Sequence, residues 1–77
     1  MKNLSKYIES VLDGVVSIKD VVKDGDQYII TITKKNLFYK QVDMNFIELT
    51  NSIEIRRQLE IYFPNDEIKF QIKHIFV

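Results

Sequence analysis

Residues 41–64, "QVDMNFIELTNSIEIRRQLEIYFP", admit two readings, and the fold turns on which one holds. Leading into the stretch and up to Asn51, the apolar positions come every second residue. Phe38, Val42, Met44 and Phe46 fall on one side, with Lys40 as a lapse, and Tyr39, Gln41, Asp43 and Asn45 on the other. Period two is the mark of a half-buried strand. Beyond Asn51 the rhythm lengthens: Ile55, Leu59, Tyr62 and Phe63 share one helical face, and Pro64 imposes a stop. Asn51 followed three residues later by Glu54 resembles a capping box. The expectation is therefore a strand to about Leu49 and a helix from Ser52 to Phe63. The alternative is a single helix with a wider, less orderly apolar face.

Working outward, "NLSKYIESVLD" (residues 3–13) sets Leu4, Tyr7, Ile8, Val11 and Leu12 on one helical stripe. Asn3 stands where an N-cap belongs, and Gly14 where a left-handed C-cap is wanted. "GVVSIKDVVKDGDQYIITITKK" (residues 14–35) reads as a hairpin turning at Asp24-Gly25. Val16, Ile18 and Val22 alternate on its first strand, and Tyr28, Ile30 and Ile32 on its second. Asp20 breaks the first pattern, so either a bulge turns Val21 inward or Asp20 lies at the rim. "DEIKFQIKHIFV" (residues 66–77) alternates as a last strand, with Ile68, Phe70, Ile72 and Phe76 facing one way. The expected fold is a single α+β domain over residues 1–77, in α-β-β-β-α-β order. Its four-stranded sheet is mainly antiparallel, with both helices on one face. The fourth strand is expected parallel to the third, with a place beside the first open to it.

Composition narrows the chemistry. A chain of 77 residues supports one thin core, without cysteines to staple it. The absence of Cys removes disulfides and thiol catalysis. Lys and Arg number 11, as do Asp and Glu, so the basic excess typical of nucleic-acid binders is missing. No apolar run reaches the length of a membrane span, and a soluble, cytoplasmic protein is expected. His74, the only histidine, shares strand parity with Ile72 and Phe76 and has no second imidazole or thiol to complete a metal shell. Asp24 and Asp26 have calcium-loop spacing, but the next residues are already strand, so hairpin chemistry accounts for them. Ser5, Ser10, Ser17 and Ser52 lie in no nucleophile elbow, and Gly14 and Gly25 form no phosphate loop. No catalytic residue, cofactor or metal is expected, and the chain reads as a non-enzyme.

Two surfaces carry what functional signal there is. The uncovered sheet face would present Lys19, Thr31, Thr33, Tyr39, Gln41, Asn45, Lys69, Gln71 and Lys73. Lys19, Tyr39, Lys69 and Lys73, with Lys34, Lys35 and Lys40 nearby, could bind single-stranded nucleic acid, although a solvated sheet face has the same look. The expected order of one helix, three strands and a second helix resembles the double-stranded-RNA-binding domain in sequence of elements alone. "NSIEIRR", opening the second helix, lacks that fold's lysine cluster. The second surface is the outer side of the second helix, where Ile53, Arg57 and Ile61 lie opposite the core stripe beside Arg56 and Glu60. Large aliphatics around an arginine are the composition of an interface centre. The blander reading packs Ile61 under the Pro64 loop and Ile53 on the third strand. Ile75 and Val77 add an apolar terminal edge strand. The leading expectation is a protein-binding module, a small inhibitor or adaptor, whose partner is another protein or a second copy in a homodimer. Richness in Ile, Lys and Asn without Ala suits an AT-rich genome, and stand-alone domains of this size are common among phage products.

Overall fold

The computed structural model describes residues 3–34 and 44–76. Its elements are α1 (Ser5–Leu12), β1 (Ile18–Asp24), β2 (Gln27–Lys34), α2 (Met44–Tyr62) and β3 (Phe70–Phe76). The expected four-stranded, mainly antiparallel sheet is corrected: the sheet is three-stranded and mixed, in the order β1-β2-β3, and the element order is α-β-β-α-β. β1 and β2 run antiparallel, and β2 and β3 parallel. The last strand lies beside β2, not beside the first strand.

The correction comes from the opening stretch. Residues 44–49, expected as the end of a strand, are helical, and Asn51 and Glu54 lie inside α2 instead of capping it. The preceding part of that expected strand, residues 38–43, lies outside the described residues. The likeness in element order to the double-stranded-RNA-binding domain therefore falls away. The physical reason is propagation. Once residues 52–62 are helical, each residue added upstream contributes one more backbone hydrogen bond, whereas starting a new element needs a nucleus. Met44, Glu48 and Leu49 are good helix formers, and neither Gly nor Pro occurs between Gly25 and Pro64 to interrupt the run. The helix does end where Pro64 dictates. The Phe63 N–H still donates to the Leu59 carbonyl at 2.7 Å, and Asn65 and Asp66 then turn at φ of 60° and 56°. Asn and Asp are the non-glycine residues that best tolerate that conformation.

α1 follows its apolar stripe except at Tyr7, which is half exposed, and starts one residue later than an Asn3 N-cap implies. Asn3 Oδ1 accepts from the Ser5 N–H at 2.9 Å and from the Ser5 hydroxyl at 2.6 Å. At the other end Asp13 is extended and Gly14 has φ of +84°, with the Val15 N–H on the Leu12 carbonyl at 3.0 Å. That is type II turn geometry, and the positive φ explains the glycine. In the hairpin, Asp24 pairs with Gln27, so the loop is Gly25-Asp26, one residue later than expected. Gly25 at +64° supplies the positive φ at the first loop position, as in a type II′ turn. The register shifts between Ile18 and Asp20. This bulge turns Val21 into the core and leaves Val22, expected inside, exposed.

One core joins the elements: Ile8, Val11 and Leu12 of α1, Val21 of β1, Tyr28, Ile30 and Ile32 of β2, Ile55 and Leu59 of α2, and Phe63. Both helices thus cover the same face of the sheet. Each fully buried aliphatic contributes roughly 1.5–3 kcal/mol. Polar ties fix the arrangement at its margins. The Leu4 N–H donates to the Tyr28 hydroxyl at 3.2 Å, and Gln58 Nε2 donates to the Val11 carbonyl at 3.2 Å. Tyr7 meets Tyr62 and Phe63 edge-to-face, at 6.2 and 5.6 Å between ring centroids. Adjacent parallel strands need a long crossover, and α2 provides it, making β2-α2-β3 a βαβ unit.

Candidate protein-docking face

α2 is 19 residues long, about 28 Å at the helical rise. Its core residues, Ile55 and Leu59, together with Phe63 just beyond, belong to the second half of this run. Among the residues of its first half with a described side chain, Phe46 to Ser52, none is buried. The opposite side of the helix is apolar too. Phe46 is 65% exposed, Leu49 58%, Ile53 46% and Ile61 68%. At 100° per residue these four fall within one band centred opposite Ile55. A helix apolar on both sides has more sticky surface than its own fold covers.

The residues singled out from sequence separate here. Ile53 and Ile61 are exposed, so neither is absorbed by a loop or a strand. Arg57 stands between them, its guanidinium 3.9 Å from Glu54 in an exposed i,i+3 pair. Such a pair contributes a few tenths of a kcal/mol at most and does not pin the side chain. Arg56 instead stacks its guanidinium over the Phe70 ring at 5.2 Å, tying α2 to β3. Glu60 Oε1 accepts from the Asn65 N–H at 3.4 Å, in the turn after Pro64. Arg56 and Glu60 therefore flank the face and help hold the fold. Tyr62, expected in the core, is half exposed against Tyr7. Phe46 and Leu49 were missed, because reading their segment as a strand put Phe46 inside. Spacing at 46, 49 and 53, in steps of three and four, was the signal that could have found them.

The rival sheet surface is less coherent. In register, Thr31 stands opposite Lys73, Ile29 opposite Gln71 and Val22, and Thr33 opposite Ile75. Lys69 holds Asp26 at 3.3 Å, and Lys19 sits in the bulge of β1. Asn45 belongs to α2, and Tyr39, like Lys35, Lys40 and Gln41, lies outside the described residues. Among the described side chains no aromatic occupies this face. His74 is half-buried opposite Ile32. A groove of about 510 Å³ runs between α1 and β1, lined by Asn3, Ser5, Lys6, Glu9, Asp20 and Lys23 among others. Val21 and Val22 supply its apolar part, and its charged walls are of both signs. No described helix is long and apolar enough to cross a membrane. No protein-family model, curated protein or solved structure matches the chain.

Proposed function

We propose that the protein is a non-enzymatic protein-binding module that docks through the outer face of α2, the mode of action of a small inhibitor or adaptor. The observation that carries this reading is the run Phe46, Leu49, Ile53 and Ile61, each about half exposed or more, on a helix whose other side is already committed to the core. Exposed aromatic and aliphatic side chains around an arginine with an unburied head group make a contact centre. The test is retention from a lysate of the producing cell on immobilised protein, comparing wild type with Phe46→Ser/Ile61→Ser. Both positions are exposed, so the double variant keeps its thermal transition within a few degrees. A protein held by wild type and released by the variant supports the reading. Equal retention on both moves the docking surface elsewhere.

A further inference from the structure

We infer that the α2 face is an isologous interface, and that its occupant is a second copy of this chain packed antiparallel about Ile53. The inference rests on the docking face proposed above and names its partner. The first argument is the pattern. Turning α2 end for end about Ile53 sets Ile53 against its own counterpart. Leu49 then meets the level of the second copy's Arg57, whose aliphatic stem offers apolar contact. Phe46 meets the level of the second copy's Glu60 and Ile61. The seam is therefore apolar at Ile53, with Arg57 and Glu60 standing opposite Leu49 and Phe46 on either side, and no charge falls on the axis. A two-fold interface requires self-complementarity of this kind.

The second argument is support. In the first half of α2 no described side chain is fully buried, Ile47, Glu48, Asn51 and Ser52 being half-buried, while the second half is anchored by Ile55, Leu59 and Phe63. Antiparallel pairing lays the exposed Phe46 and Leu49 of each copy on the anchored half of the other. Helices in proteins are stabilised mainly by such packing, not by propensity.

The third argument is area. With apolar side chains of roughly 150–200 Å² each, the four exposures leave on the order of 400 Å² of apolar surface per copy. Complete burial of these side chains in two copies, with the Arg57 and Glu60 stems, removes about 1,000 Å² from water, the lower bound for a specific interface. Equal numbers of cationic and anionic residues leave no net repulsion between copies.

The test is sedimentation equilibrium of the full chain from low to hundreds of micromolar. The expected result is a reversible dimer, twice the 9.2 kDa chain mass, dissociating in the micromolar range. Ile53→Asp, which puts two carboxylates at the axis, weakens it at least about 100-fold while the circular dichroism is unchanged. Because the chain has no cysteine, Ile53→Cys is a clean second probe: oxidation yields a covalent dimer, whereas Lys73→Cys on the sheet does not. A chain monomeric throughout, or a dimer indifferent to Ile53→Asp, overturns the inference. A monomer that still retains another protein through Phe46 and Ile61 overturns self-association alone. A chain that neither dimerises nor retains a partner overturns both readings.

Discussion

Ile55 and Ile61 are chemically identical and six positions apart on one helix, yet the first is fully buried and the second 68% exposed. Ile55→Ala removes packed methyl groups and leaves a cavity, so it is expected to cost about 2–5 kcal/mol. Ile61→Ala is expected to stay within about 0.5 kcal/mol. Urea denaturation of both variants checks the contrast. A large loss at Ile61 in dilute, monomeric protein would show that the residue packs within its own fold. Gly25 is informative for a different reason. A methyl group there meets no atom within 4 Å, but the φ of +64° strains any L side chain. Gly25→Ala is therefore expected to destabilise by about 1–2 kcal/mol through the backbone alone, read as a lower urea midpoint with an unchanged slope.

At the scale of the element, the status of Asn51 separates a continuous α2 from a strand followed by a capped helix. An N-cap asparagine replaced by alanine loses about 1 kcal/mol. An asparagine inside a helix replaced by alanine gains about 0.5 kcal/mol, because asparagine competes for backbone hydrogen bonds. Asn51→Ala is thus expected to raise the thermal midpoint, and a lowered midpoint would restore the capped boundary. The same logic explains why the capping-box pattern misled. Asn followed three residues later by Glu also arises in a helix interior, where Glu54 meets Arg57 instead of a backbone N–H. β1 shows a comparable local effect: one extra residue near Lys19 exchanges the roles of Val21 and Val22.

For the whole molecule, the two candidate surfaces differ in their response to salt. Binding through the α2 face rests on apolar contact, so a tenfold rise in salt is expected to change its affinity less than about threefold. A protein neutralising three phosphates of a single strand would lose about 100-fold over the same range. Titrating the dimer, and any retained partner, across salt concentrations measures this directly. Lys73→Glu and Lys19→Glu are expected to leave that binding unchanged, and a steep loss in either would transfer the function to the sheet.

Much of this protein could be read one residue at a time. The α1 stripe, the inward set Tyr28, Ile30 and Ile32, the stop at Pro64 and the alternation of β3 follow from local periodicity and turn chemistry, whereas at Asp20 the sequence left a bulge and a rim position both open. Ile53 and Ile61 were visible as a surface pair because a helical wheel needs only spacing. Tertiary structure alone decided the rest. Residues 44–51 are apolar enough for either rhythm, and cooperative extension of a helix already anchored by Ile55, Leu59 and Phe63 selected one. With that choice the last strand moved beside β2, and Phe46 and Leu49 joined the outer face. A segment of mixed pattern takes its conformation from the packing of its neighbours, because the free energy that distinguishes helix from strand there is smaller than what those contacts supply.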